Sequence, residues 1–138
     1  MTTRADIVTA ATAWIGTPYH HAADVLGVGV DCAMFPVRVF CGLGLVPLFD
    51  PRPYPHDWML HRSEERYLGW VSRWAERVEN AQPGDLVLFR FGRCVSHGGI
   101  VCERGYMIHA HLPAGRVTRA EIAPYASRLH SYWSVRGV

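Results

Sequence analysis

The hydrophobic period of this chain changes once, at Pro83-Gly84, and that change limits the available folds more than any other feature. Before it, apolar residues recur three and four positions apart; after it, they alternate. Ile7, Val8, Ala11, Trp14 and Ile15 share one helical face, which predicts a helix from about Arg4 to Ile15, stopped by Gly16 and Pro18. The apolar run 33–41 predicts a second helix ending around Gly42–Gly44. A third is expected from Ser63, with Glu64 and Glu65 at its positive end, Tyr67, Val71, Trp74 and Val78 as its stripe, Gly69 weakening its middle and Asn80 closing it. Residues 47–62 hold four prolines and several aromatics, the composition of a surface excursion. Beyond Gly84, Asp85–Arg90, His97–Glu103 and Tyr106–His111 read as strands, with shorter candidates at Arg116–Thr118 and Ser131–Arg136 around a segment containing Pro124. Helices followed by an antiparallel sheet make an α+β fold.

With 138 residues, 49% of them hydrophobic and 19% charged, the chain reads as one globular domain spanning 1–138. A net charge of +2 without a basic stripe gives no reason to expect a nucleic-acid partner. No window approaches the ~20 apolar residues of a membrane span, so membrane insertion is not expected. The sequence Met-Thr-Thr-Arg-Ala-Asp lacks a signal-peptide layout. If the protein acts outside a cytoplasm, another vehicle is expected to carry it.

Four cysteines, at 32, 41, 94 and 102, show no Cys-x-x-Cys spacing, and reduced thiols are the expectation. Cys94-x-x-His97 is a single two-ligand fragment without a partner pair, so neither a metal nor another cofactor is expected. Cys41 and Cys102, inside apolar runs, read as inert buried thiols, and Cys94 as a loop bystander.

Cys32 is different. It stands at the start of the second helix, approached through Gly27 and Gly29, with Asp31 as candidate N-cap and Pro36 just inside the first turn. Unpaired N–H groups and the positive dipole end stabilise a thiolate there. A thiol of intrinsic pKa about 8.5 falls to roughly 3.5–7.5 at such a site, especially beside an imidazolium. Cys32 is thus the candidate nucleophile, needing a histidine from elsewhere.

The strand Ser96-His97-Gly98-Gly99-Ile100 supplies one. If Glu103-Arg104-Gly105 is a three-residue hairpin loop ending in a left-handed glycine, His109 falls opposite Gly99 and diagonal to His97. His97, Gly99 and Val101 then share a face with Met107, His109 and His111, while Ile100 and Ile108 take the other. Diagonal neighbours lie about 7–8 Å apart, within reach for imidazoles. His97 would take the thiol proton, and His109 would hold its ring in the useful tautomer. His111 shares the face and is the rival for that third role.

Taken in order, Trp14-Ile15-Gly16-Thr17-Pro18-Tyr19, Gly29-Val30-Asp31-Cys32, Pro83-Gly84-Asp85-Leu86-Val87, His97-Gly98-Gly99-Ile100 and Ile108-His109-Ala110 resemble the NlpC-type cell-wall cysteine peptidases, a compact papain-like family. The resemblance covers nearly the whole chain. It implies N-terminal helices packed on a central antiparallel sheet, with Cys32 as nucleophile, His97 as base and His109 as orienting residue. It also implies that Tyr19 lines the site near the oxyanion pocket; Asp31 and His20 stand beside it as candidate oxyanion or substrate contacts, although His20 and His21 read equally well as solvated loop residues. The implied substrate is the peptide stem of peptidoglycan, cut typically between D-γ-glutamate and meso-diaminopimelate; an amidase or acyltransferase with the same Cys/His machinery and a non-catalytic structural tail-tip component are the alternative readings. Gly16-Thr17-Pro18-Tyr19-His20-His21 and the Tyr54–Trp58 stretch are similar to the phage subgroup. That similarity implies tail-tip or baseplate partners in a phage or gene-transfer particle, acting in the host periplasm or wall. Met34, where the family usually has glycine, and Pro36 depart from the pattern. Trp58, Trp70, Trp74 and Trp133 read as core or cleft wall.

Overall fold

The computed structural model describes residues 1–55 and 65–138. Helix α1 spans Arg4–Thr12 and opens with a reciprocal cap: Thr3 Oγ1 accepts from Asp6 N at 3.2 Å, and Asp6 Oδ2 accepts from Thr3 N at 2.8 Å. Its regular part ends three residues before the predicted Ile15. Trp14 N bonds Ala11 O and Ile15 N bonds Thr12 O, so the last turn tightens to i−3 pairing before Gly16, at φ +92°, reverses the chain. Ile7 and Ala11 are buried, but Ile15 is 43% exposed.

The loop expected over 16–31 contains a small antiparallel hairpin, β1 (Asp24–Val25) with β2 (Gly29–Val30). It leads into α2 (Met34–Gly42), which is buried along most of its length. Helix α3 covers Arg66–Trp74. The longer helix predicted from Ser63 to Asn80 is corrected at its C-terminal end. Ala75–Val78 is strand β3, paired with β8 (Leu129–Val135) from Ala75↔Val135 to Val78↔Tyr132. Val78 fits a helical stripe by spacing, but the open edge of β8 offers that backbone a full ladder instead, a choice local period does not reveal. Ser63, Glu64 and Trp58 lie outside the described residues.

Strands β4 (Leu86–Phe91), β5 (Cys94–Glu103), β6 (Tyr106–His111) and β7 (Arg116–Glu121) complete a six-stranded antiparallel sheet in the order β3-β8-β4-β5-β6-β7. A 3₁₀ segment at Ala123–Arg128, with Pro124 in its first turn, precedes β8. Cys94, expected in a loop, begins β5 and is fully buried. Leu86, Leu88, Ile100 and Ile108 join the main core with the helices, whereas Val87, Phe89, Val101 and Met107 form a second cluster closed by Ile122.

The β5–β6 turn reaches the predicted register by a different route. Ile100↔Ile108 and Val101↔Met107 set it, which places His109 opposite Gly99 as expected. The ladder, however, closes at Glu103↔Tyr106 around a two-residue turn, Arg104-Gly105, with Gly105 at φ +82°. Cys102 is an extra residue on β5, and this bulge absorbs the one-residue slip that a two-residue turn would otherwise impose.

Candidate active site

The start of α2 is organised by Asp31. Its Oδ1 accepts from Ala33 N at 3.2 Å and Met34 N at 2.8 Å; its Oδ2 accepts from Ala22 N and the Tyr54 hydroxyl, each at 2.7 Å. With four donors and 2% exposure, the carboxylate ties the preceding loop and the 47–55 segment to the helix start, and it does not face solvent as a substrate contact would. Ala22 adopts φ +60°, an uncommon conformation for a side-chain-bearing residue. It is held by Asp31 at its N–H and by Arg52 Nη1 at its carbonyl, 2.9 Å away. Tyr54 is 7% exposed, so this part of the predicted surface excursion is core.

Around Cys32 most backbone groups are occupied. Asp31 O accepts from Phe35 N, and Cys32 O accepts from the Tyr67 hydroxyl at 2.7 Å. Cys32 N has no backbone acceptor among the described residues, which leaves it available as an oxyanion donor. Tyr19 is delivered by two backbone bonds that hold its loop against β2 and the turn before β7, Val30 N to Pro18 O at 3.0 Å and Tyr19 N to Gly115 O at 2.8 Å. Its hydroxyl lies on the thiol side of the loop and favours the ionised form of Cys32.

The lowered thiol pKa expected from a helix start is overturned. Burial, reinforced by the Asp31 charge, pushes the Cys32 thiol up to about 12, against the smaller opposing effects of the Tyr19 hydroxyl and the Cys32 N–H. The reason is local. The Ala33 and Met34 N–H groups that would have stabilised a thiolate are already given to the Asp31 carboxylate. Tyr19, Tyr54 and Tyr67 are all pushed above the ordinary tyrosine range, mainly by burial, so three hydroxyls around this turn remain donors.

The thiol sits on β5, with Sγ 3.5 Å from Ser96 O. Ser96 is itself a bulge: Val95 and His97 pair with Arg90 and Phe89, so one residue too many lies on β5 immediately before His97. His97 Nε2 stands 2.8 Å from His109 Nδ1. His109 is fully buried and stacks on His111 at 4.7 Å and 18°, while His111 Nε2 meets the Tyr125 hydroxyl at 3.3 Å. Phe89 and Phe91 flank the His97 ring, with centroids at 5.7 and 5.8 Å. Burial, then its histidine neighbours, hold His97 well below the ordinary histidine value; burial and His111 bring His109 to about 4. The cluster is therefore neutral near pH 7.

The pair has two tautomeric arrangements. If His97 Nε2–H donates to His109 Nδ1, His97 keeps its Nδ1 lone pair for an incoming proton, and His109 carries its own proton on Nε2. That Nε2 is buried without a partner among the described residues. In the reverse arrangement His97 holds its proton on Nδ1 and has no base to offer there.

The structure thus brings His97 and His109 into direct contact and sets Cys32 against the residue before His97. His20 is exposed and packs over Gly29, where a Cβ would lie 2.9 Å from its Cδ2. Among the described residues no group of three or more His, Cys, Asp or Glu side chains is placed to hold a metal ion. An apolar cavity between α2 and α3 is lined by Pro36, Phe40, Trp70 and Trp74 and contains none of the three candidate catalytic residues. Sequence reasoning assigned Tyr67 only to an apolar stripe. A tyrosine in a buried stripe carries a hydroxyl that needs a partner, and that was the available signal. The Ser96 bulge left no local mark.

Residues 16–136 match the model of the family described as "NlpC/P60 family". A Haemophilus influenzae protein described as "Probable endopeptidase" is 31% identical over 127 residues, spanning 91% of this chain and 68% of that protein. The NlpC/p60 domain of the peptidoglycan hydrolase SagA is similar in fold, with a TM-score of 0.69 at 23% identity over 97% of this chain and 100% of that one. RipD from Mycobacterium tuberculosis, described as a non-catalytic NlpC/p60 domain protein, gives a TM-score of 0.63 at 16% identity, covering 100% of both chains.

Proposed function

The chain belongs to the NlpC/P60 family, and from that premise we propose that this cysteine peptidase hydrolyses the peptide stems of peptidoglycan at the D-γ-glutamyl–meso-diaminopimelate bond. The observation that carries the reading is the 2.8 Å contact between His97 and His109 beside the thiol of Cys32. The Cys32 sulfur attacks the scissile carbonyl while its proton passes to His97, whose ring His109 holds with Nε2–H inward and Nδ1 free. Because thiol and imidazole both rest neutral, proton transfer accompanies C–S bond formation. The Cys32 N–H and the Tyr19 hydroxyl receive the oxyanion; such donors are worth on the order of 10²–10³ in rate. His97 then protonates the leaving amine, and water, with its proton taken by His97, releases the acyl group.

The named functions of similar proteins support this reading: a "Probable endopeptidase" in sequence and a peptidoglycan hydrolase in fold. RipD, described as adapted to a peptidoglycan-binding function, motivates the second reading, a wall-binding or tail-tip component without turnover. The Cys32, His97 and His109 set favours catalysis over it. We further propose carriage on a phage-like tail among tip or baseplate proteins, a reading supported by the Gly16–His21 segment. The Tyr54–Trp58 stretch enters this argument only through Tyr54 and Pro55, the rest lying outside the described residues.

Digestion of diaminopimelate-type walls with mass spectrometry of the products is the test. The expected products are stems cut after D-glutamate, absent with Cys32→Ala. Intact stem peptides would indicate an amidase instead. Wall binding without any new fragment from folded protein would favour the non-catalytic reading.

A further inference from the structure

Tyr67 sits in the first turn of α3 and is 2% exposed. Its hydroxyl donates to the Cys32 carbonyl at 2.7 Å. The same ring covers Gly98, the residue after His97: a Cβ built there would stand 2.4 Å from the Tyr67 oxygen and 3.0 Å from Cζ. One side chain therefore touches the peptide of the candidate nucleophile and the peptide next to the candidate base. The N-terminal end of α3 holds β5 a second time, since Glu65 Oε2 accepts from Val95 N at 3.0 Å. These two grips fall on either side of His97.

The Cys32–Ala33 peptide is also held from both ends, its carbonyl by Tyr67 and its N–H by Asp31 Oδ1. A peptide fixed at both ends cannot rotate without breaking one of the two bonds. That restraint aims the Cys32 side chain and leaves the Cys32 N–H without an acceptor among the described residues, while the next three N–H groups are taken.

We infer that Tyr67 is a positioning residue of the thiol site, its hydroxyl on Cys32 O and its ring on Gly98 setting the placement of Cys32 relative to His97. A misplacement on the order of 1 Å at a reacting group costs about 10²-fold in rate, so one hydrogen bond that sets this distance carries kinetic weight. Its kinetic consequence rests on the hydrolytic reading above; its consequence for the sulfur does not. Gly98 is part of the same device, because only a residue without a Cβ leaves room for the hydroxyl.

The test uses Tyr67→Phe, Gly98→Ala and the double variant in the full chain. Thermal unfolding, peptide-resolved alkylation of each cysteine by iodoacetamide across pH, and stem-peptide kcat and KM are measured for each. Tyr67→Phe is expected to lower kcat by roughly 10- to 100-fold with KM within about twofold, and to move the pH profile of Cys32 alkylation while those of Cys41 and Cys94 stay in place. Gly98→Ala should act likewise, since it displaces the hydroxyl. Added to Tyr67→Phe it should do less than it does alone, because the closest contact has gone. A wild-type kcat and a wild-type Cys32 profile in Tyr67→Phe would overturn the inference, as would single effects that simply multiply. If Gly98→Ala does not fold, Tyr67→Phe alone decides. If the wild-type protein cleaves no stem peptide, the hydrolytic reading fails, and the Cys32 alkylation profile still decides the role of Tyr67.

Discussion

Acid should destabilise this fold through His109 before its carboxylates are exhausted. The imidazole is fully buried, and burial together with His111 brings its pKa from 6.5 to about 4. In the unfolded chain the ring takes its proton near the ordinary value. The stabilisation linked to this group is complete above pH 6.5 and is lost as pH falls toward about 4, because in that window only the unfolded chain is protonated. At 1.36 kcal/mol per pH unit the interval amounts to roughly 3 kcal/mol, a large share of the ~5–15 kcal/mol stability of a typical domain. His97, also held well below its ordinary value, works in the same direction. Urea unfolding from about pH 7.5 to about pH 4.5 reads the effect, with His109→Gln as the non-titrating comparison. Carboxylates titrate in both proteins, so the difference between them isolates the histidine. Removing His109 also relieves His97, which flattens the variant further. The wild-type protein should lose roughly 2–3 kcal/mol more than the variant across this range. Parallel pH profiles would refute the buried, neutral His109 on which the orienting role depends.

His109→Ala should lower kcat on the order of 10²-fold, because the His97 tautomer is no longer held, whereas His111→Ala, which loses a ring stack and the Tyr125 contact, should change it by no more than about threefold; reversed effects in steady-state assays would withdraw the assignment. Asp31→Asn leaves Ala22 N–H and the Tyr54 hydroxyl facing an amide donor. It should cost about 2–4 kcal/mol in chemical denaturation while moving Cys32 alkylation to lower pH, since the lost charge had raised the thiol; an upward move would contradict this. In the substrate-free protein, Cys32 alkylation should titrate above pH 9, toward about 12. A midpoint below pH 8 in peptide-resolved mass spectrometry would restore the activated thiolate and remove the neutral-pair mechanism.

Much of this protein was determined by sequence alone. The change of period at Pro83-Gly84 separates the helices from five of the six strands of the sheet, because helix and strand place side chains at different spacings and a chain cannot satisfy both. Alternation from His97 to His111, with a glycine available for the turn, was enough to bring His97 and His109 to one face, since inward and outward positions repeat every two residues. The motif order around Cys32 and His97 identified the family. Tertiary structure decided what depends on contacts between distant segments. Ala75–Val78 became a strand because β8 presented an open edge. Cys102 became a bulge because the core faces of β5 and β6 had to match across a shorter turn than expected. The thiol became weakly acidic because burial and the Asp31 carboxylate outweigh a helix start whose N–H groups that carboxylate already occupies. Tyr67 acquired a partner thirty-five residues away in the Cys32 carbonyl. Charge, desolvation and long-range hydrogen bonds act through space, and no spacing along the chain encodes the distances at which they do so.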